Sequence, residues 1–320
     1  MKKLRTYYKL TGILLSTLFL SISCTKDFTE LNTNPAGVTD EEAMGDFALV
    51  AAFMAQAQRA ILSENVGEYQ VSNNLTSDAY GGYFGAEAPF VGNANNLTYS
   101  LVPGWYSSLW VDRYIRAMNP IYRVELLTRS DEKMKDIFAF AKILKVSAMH
   151  RTSDKVGPII YSHYNAPDEN DQIQYDSQED AYKNFFKDLD TATTILKTYQ
   201  GKEISSAMLK SDMAYSSNNY ERWLRIANTL RLRLALRIVY KNPTLAKEST
   251  ADNCFIKLST DHPLNIITTT WSDTRMHANI ESILGGYNDP RLAKLFEKAT
   301  DPAVKGQFKG IRTGIDIDAK

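Results

Sequence analysis

The stretch 220–240, YERWLRIANTLRLRLALRIVY, limits what this chain can fold into more than any other. It holds no Gly or Pro and is built from Leu, Arg and Ala, which are strong helix formers. At about 100° per residue, Trp223, Ala227, Leu230, Leu234 and Ile238 form one stripe, widened by Leu224, Ala235 and Val239. Arg222, Arg225, Arg233 and Arg237 fall on the opposite side. Arg231 projects within the apolar band, and Asn228 lies toward its edge. A lone buried guanidinium is far too costly, so Arg231 is expected to be paired and hydrogen-bonded. The spacing predicts a central helix whose inward cation locks a neighbouring acidic element, through Asp289 or another carboxylate. The competing picture is a surface helix with Arg231 reaching out to water.

Helical patterning extends on both sides. Thr39 stands three residues before Glu42 as a capping box, and Phe47, Val50, Met54, Ala57 and Ile61 follow at helical spacing. Residues 105–121 mark a second helix, and Met134 to Ala148 a third, close enough behind to make an antiparallel hairpin. Asp176 and Glu179 are expected to cap another, with Tyr182, Phe185, Phe186 and Leu189 on its face. Helices in pairs point to stacked helix–turn–helix units, although no strict 34-residue period is present. The fold class expected is therefore mainly α, with tetratricopeptide-like helical hairpins over 39–240 and long irregular loops. Beyond Asn242-Pro243 the text is mixed: 255–258 and the β-branched 264–270 read as short extended pieces, and 280–284 and 290–298 as short helices. The chain stops without a closing element in view, so 241–320 is expected to be the start of an incomplete region.

The N-terminus reads as an export signal. Lys2, Lys3, Arg5 and Lys9 precede 10–22, thirteen residues without a charge. A membrane span needs roughly twenty such residues, so 1–23 is a signal peptide rather than a transmembrane helix. Small residues before Cys24 match a lipobox, which makes Cys24 the acylated end of the mature chain, and polar 24–38 its tether. The alternative is an ordinary signal peptide with a chance cysteine. With Cys24 and Cys254 as the only cysteines, a disulfide scaffold is excluded in practice.

Charge and motif content narrow the chemistry. The 37 basic and 37 acidic residues cancel, which argues against a nucleic-acid partner. The four histidines are scattered, with no H-x-x-x-H spacing for a metal, and there is neither a nucleophile elbow nor a phosphate loop. Neither an enzyme nor a cofactor is expected. Asp168-x-Asn170-x-Gln172 resembles a calcium loop but lacks its glycine and distal Glu, so a solvated acidic turn is expected there. The stretch 65–104 differs from its flanks: it is long, aperiodic, and rich in Gly, Asn and aromatic residues, the mark of a functional loop. Sugars offer C–H faces to aromatic rings and hydroxyls to amides. Tyr80, Tyr83, Phe84, Phe90 and Asn93 are accordingly the candidate ligand-binding residues. That the aromatics simply pack the loop onto the helices is an equal alternative. Trp271 is a weaker ligand candidate, and His277 and Arg275 have no assignable role.

Several short matches, in order along the chain, resemble one family. They are the lipobox cysteine followed by FTELNTNP (28–35), Trp110-x3-Tyr114, Asp154-x-x-Gly157 ending in Tyr161-Ser162, and Tyr175-Asp176-Ser177-Gln178-Glu179. Trp223 with Ala227-Asn228-x-Leu230-Arg231-Leu232-Arg233-Leu234-Ala235 is the strongest, with Asn288-Asp289-Pro290-Arg291-Leu292. Together these resemble the SusD/RagB outer-membrane lipoproteins of Bacteroidetes. The resemblance implies a tetratricopeptide-like fold, anchorage to outer-membrane lipid through acylated Cys24, and exposure on the extracellular side. It also implies a SusC-like TonB-dependent β-barrel transporter as partner, with a glycan or other nutrient as ligand. Family members are longer, so the C-terminal part is expected to be missing. Trp223, Asn228, Arg231, Asp289 and Arg291 are assigned structural roles, with Asp289-Pro290 as a helix start. The leading expectation is non-covalent nutrient capture and transfer. A lid or assembly subunit of the transporter without its own ligand site is the alternative, and a surface glycoside hydrolase, through acidic pairs such as Asp188/Asp190, a weaker one.

Overall fold

Helix α1 (Ala48–Leu62) buries Val50, Met54, Ala57 and Ile61, the positions its spacing marks as inward. The computed structural model describes residues 45–62, 65–249, 256 and 262–313. The signal segment 1–23, Cys24, the tether 24–38, the Thr39/Glu42 box and Cys254 lie outside the described residues. The protein is mainly α. Short α2 (Val66–Tyr69) runs straight into a π-helical turn, Gln70–Asp78. After strand β1 (Phe84–Ala86), α3 (Pro103–Asp112) continues through a second π-turn, Arg113–Met118, into α4 (Asn119–Thr128). Then come α5 (Lys135–Val156), α6 (Gln178–Lys197), α7 (Ser206–Ser211), α8 (Asn219–Arg237) and α9 (Pro243–Glu248). The last part holds α10 (Pro263–Asn265), a π-turn at Ile266–Thr270, strand β2 (Thr274–Met276), α11 (Ala278–Gly286) and α12 (Leu292–Leu295). No helix among the described residues is long and apolar enough to cross a membrane.

The centre of the bundle is α5 rather than α8. Ile137, Phe140, Ala141, Ile143, Leu144, Val146 and Met149 on α5 are all at most 1% exposed, so the helix is enclosed on nearly every side. It packs against α1, α4, α6, α7 and α8. Helix α8 lies on α5 and α6 through Trp223, Leu224, Ala227, Leu230, Leu234 and Ala235, leaving Arg222, Arg225, Arg233 and Arg237 outside. The Trp223 ring meets Phe140 of α5 at 4.3 Å between centroids. The predicted stripe is therefore right, and its last turn is not: the helix ends at Arg237, with Ile238 as C-cap.

Arg231 behaves differently from the sequence expectation. Its Nη1 lies 3.3 Å from Asp190 Oδ1 on α6, and its guanidinium rests 5.4 Å from the Phe186 ring centre. The Asp190 side chain is 58% exposed, so this is a half-open surface pair and not a buried lock. Asp289 does not take part, because its carboxylate is held by Arg291, whose Nε approaches to 2.9 and 3.0 Å. The buried anchors of α8 are two other acids. Asp212 accepts from Trp223 Nε1 at 2.7 Å, Asn219 Nδ2 at 2.6 Å and the amides of Ala214 and Tyr215. Asp136 on α5 accepts from the Tyr220 and Ser205 hydroxyls at 2.7 and 2.6 Å. Both acids precede α8 in the chain, and nothing in helical periodicity marks them.

The helix predicted after 176 starts one residue later than its expected cap. Ser177 is the N-cap, with Oγ accepting from the Asp180 amide, while Asp176 is buried and turned inward. Its Oδ2 accepts from the amides of Tyr161 and Ser162, each at 2.9 Å, and its backbone pairs with Ile159. Tyr161 in turn donates to Asp188 at 2.7 Å, and Asp188 also takes Lys142 at 2.7 Å. Asp188 and Asp190 are thus committed to Lys142 and Arg231.

Two irregular stretches resolve into structure that period alone could not show. The first part of 65–104 is helical, and its π-turn at Gln70–Asp78 adds about one residue per turn, which erases a 3.6-residue pattern. The β-branched 264–270 is also helical, not extended. The strand lies further on, at β2, paired antiparallel with β1 in the register Phe84↔Met276, Gly85↔Arg275, Ala86↔Thr274.

Candidate functional site

The β1–β2 pair brings the aromatic segment 79–99 against residues almost two hundred positions later. The amide of His277 donates to the Tyr83 carbonyl at 2.9 Å, extending that pairing by one residue. His277 then caps α11, accepting from the Asn279 amide at Nδ1 (3.0 Å), and burial lowers its pKa, so the ring stays neutral. From the other side Ile311 pairs in parallel with His277: Ala278 N donates to Ile311 O, and Ile311 N to Met276 O, both at 2.8 Å. Gly310 makes this possible, since a Cβ there would fall 2.5 Å from the His277 carbonyl.

Opposite this wall stands a short turn. Asn95 caps the 3-10 segment Asn96–Thr98: its Oδ1 accepts from Leu97 N at 2.9 Å, and Thr98 Oγ1 receives the Asn95 amide in return. Tyr99 follows with φ +59°, a left-handed conformation that turns its ring away from the core. There it stacks on Tyr80, with centroids 5.9 Å apart and planes 13° from parallel. Tyr80 is fixed because its hydroxyl donates to Asn96 O at 2.7 Å. Burial first, and then the neighbouring Tyr106 and Tyr99 hydroxyls, raise the Tyr80 pKa.

Between the two walls is an open cavity of about 460 Å³. Its lining combines the apolar Tyr80, Tyr99 and Leu97 with the polar Thr98, His277, Asn279 and Thr313. Gly82, at φ +68°, passes so close to Asn279 that a Cβ would lie 2.9 Å from its Nδ2. The volume is that of a small-ligand site, and a flat ring pair together with neutral donors and acceptors is chemistry for binding a polar molecule with apolar faces. No Asp or Glu is among the described lining residues, so the paired carboxylates of glycoside hydrolysis are not supplied there.

The five residues singled out in the sequence divide. Tyr80 lines the cavity, and Tyr83, 53% exposed, is beside it with its carbonyl engaged by His277. Phe84 is in β1, its ring 6.1 Å from Phe296. Phe90 meets Trp105 edge-on and packs with it on Leu75, Ala79 and Leu97, as the packing alternative anticipates. Asn93 lies in the turn Phe90–Asn93. Tyr99, His277, Asn279 and Thr313 were not singled out. Only the Asn95-x-x-Thr98 cap before Tyr99 could have signalled any of them, since the others arrive by tertiary pairing. Trp271 is 43% exposed, and Asp168 forms a surface turn, accepting from the Asn170 and Gln172 amides. Among the described residues no group of His, Cys, Asp and Glu is arranged to hold a metal ion.

Comparison with known proteins gives a consistent placement. Residues 30–320 match the family model SusD-like, described as Susd and RagB outer membrane lipoprotein. A chitin-binding SusD homologue from Flavobacterium johnsoniae is 35% identical, with TM-score 0.72, over 84% of this chain and 58% of that one. A SusD homologue from Bacteroides vulgatus is 31% identical, with TM-score 0.73, over 85% of this chain and 58% of that one. One from Bacteroides thetaiotaomicron is 25% identical, with TM-score 0.69, over 83% and 56%. The chain thus spans somewhat over half the length of these structures. No curated protein matched the sequence. The ordered motifs, the helical-hairpin architecture and a family match over nearly the whole sequence agree: the chain belongs to the SusD/RagB family of outer-membrane lipoproteins.

Proposed function

We propose that this protein is a lipid-anchored, cell-surface glycan-binding subunit that captures an oligosaccharide without chemistry and passes it to a TonB-dependent outer-membrane transporter. The single observation carrying the capture step is that the Tyr80–Tyr99 stack lines the same open cavity as Asn279 and Thr313. A pyranose ring can lie on the exposed Tyr99 face while the neutral polar groups read its hydroxyls. The similarity to a chitin-binding homologue makes N-acetylglucosamine oligomers the first ligands to try. Family membership and the lipobox support anchorage through Cys24, an extracellular location and a transporter partner, and Tyr83 is a flanking candidate.

Calorimetric titration of the protein with chitohexaose and a panel of neutral glycans tests capture. Binding of at least one of them, weakened about tenfold or more by Tyr99→Ala, is expected from loss of one stacking face, worth on the order of 1–2 kcal/mol. Binding that Tyr99→Ala leaves intact would remove the shelf from the mechanism. Absence of binding across the panel would favour a lid or assembly subunit instead. Co-purification of a TonB-dependent barrel from outer membranes, lost on Cys24→Ser, tests the anchored partnership.

A further inference from the structure

His277 does more than cap α11. Both nitrogens of its ring are met by backbone N–H groups: Asn279 N lies 3.0 Å from Nδ1, and Thr313 N lies 3.2 Å from Nε2. A neutral imidazole has one N–H and one acceptor nitrogen, so it can accept from only one of the two. The cap decides which. Asn279 N belongs to the first turn of α11, where no carbonyl of the helix can accept it, and Nδ1 is the acceptor provided there. Nε2 therefore carries the proton. Its N–H and the Thr313 N–H then meet donor to donor, at a residue only 8% exposed.

Two N–H groups at that separation repel unless both tilt toward one shared oxygen. A third donor stands with them, because the Thr313 hydroxyl is buried and has no hydrogen-bond partner among the described residues. His277 and Thr313 both line the 460 Å³ cavity, so a ligand can bring the missing acceptor. The lining also restricts what that acceptor is. No Lys or Arg is among the described lining residues, and Arg312, next to Thr313, is exposed and outside it. Lys309 and Arg275 are engaged by Glu281 at 3.1 Å and Glu87 at 2.9 Å. A carboxylate or sulfate would therefore enter with its charge unpaired, which is costly. A sugar hydroxyl accepts, but it adds one more proton among three donors. An amide carbonyl has two lone pairs for the two N–H groups and no proton of its own. Ala79 and Leu97, in the same lining, suit the methyl group of an acetamide.

We infer that His277 Nε2–H and the Thr313 amide and hydroxyl form a subsite for an acyl carbonyl, so that the cavity selects 2-acetamido sugars over plain hexoses. The inference rests on the glycan-capture function proposed above and adds the group that the ligand must carry. The Tyr80–Tyr99 shelf offers stacking that any pyranose satisfies, and the His277–Thr313 corner makes the choice. That choice follows from the donors themselves, independently of what any relative binds.

Calorimetric titration with chitohexaose and cellohexaose tests the subsite, since the two chains share a backbone and differ at the acetamido group. Chitohexaose should bind about tenfold tighter or more, because only its carbonyl satisfies the donors. His277→Asn keeps a good helix cap and loses the Nε2–H, so it should weaken chitohexaose about tenfold and leave any cellohexaose binding unchanged. Thr313→Val removes the hydroxyl alone and should act in the same direction to a smaller extent. Nitrogen NMR of the unliganded protein should find the neutral His277 proton on Nε2. Equal affinity for the two chains, a proton on Nδ1, chitohexaose binding untouched by both variants, or variants that weaken both chains alike would each overturn the subsite while capture stands. If neither chain binds, the subsite falls, and the other neutral glycans decide whether capture falls with it.

Discussion

Asp212 and Arg231 show how little a residue's type says about the work it does. Asp212 gathers four donors beneath the start of α8, and burial raises its pKa in spite of them, first among those donors Trp223 and Asn219. Replacing it with Ala strands the Trp223 and Asn219 donors in the core, which should cost on the order of 3 kcal/mol and lower the melting temperature clearly. Arg231 is the more conspicuous residue and the less important one. Its partner Asp190 is mostly in water, so Arg231→Leu should change stability by about 1 kcal/mol or less. Urea unfolding of both variants checks the order. An Arg231→Leu loss as large as that of Asp212→Ala would restore the cation as the lock.

At the scale of elements, the site depends on a junction that belongs to no single helix. The β1–β2 pair, the His277 cap and the Ile311 bridge meet at one place, and Gly310 passes there with no room for a side chain. Gly310→Ala must push 307–313 away from α11. Hydrogen exchange should then show the Ala278 and Ile311 amides losing protection, with the amides of α5 unchanged and the melting temperature moved by only a few degrees. Loss of protection throughout α5 would mean that the junction supports the whole bundle. The π-turn at Gln70–Asp78 belongs to the same scale, because it leads directly to Tyr80 in the cavity lining.

For the molecule as a whole, two buried groups give pH dependences of opposite sign. The native His150 resists protonation down to about 3, against an ordinary 6.5, so its contribution to stability is complete above 6.5 and lost as pH falls between those values. Burial lifts Asp78 from 3.8 to about 6, even with Lys155 and Asn74 nearby, and its Oδ2 has no hydrogen-bond partner. Its contribution is complete below 3.8 and lost as pH rises to about 6. The two oppose each other between about 4 and 6. Asp78→Asn removes the second, so it should stabilise the protein at pH 7 by on the order of 2 kcal/mol, with the gain shrinking toward pH 4. Thermal melts across that range decide it; destabilisation at pH 7 would show that the carboxylate is matched to a donor.

What the sequence determined by itself was the local physics: which residues of α1, α6 and α8 face inward, and that the stretch after α1 is built unlike its neighbours. Those features rest on 3.6-residue periodicity and on composition, which a chain carries without its fold. The family was legible too, because ordered motifs such as Tyr161-Ser162 with Asp176 are the clamps that hold the bundle together. The tertiary structure alone decided the rest. It placed α5 at the centre, packed against α1, α4, α6, α7 and α8, a rank that helical spacing alone does not announce. It gave the anchoring of α8 to Asp212 and Asp136 rather than to Arg231, and it brought Tyr80 and Tyr99 to one cavity with His277, Asn279 and Thr313. Pairings between residues almost two hundred positions apart leave no mark on either segment, since each strand is three residues long and gains its meaning only from the other.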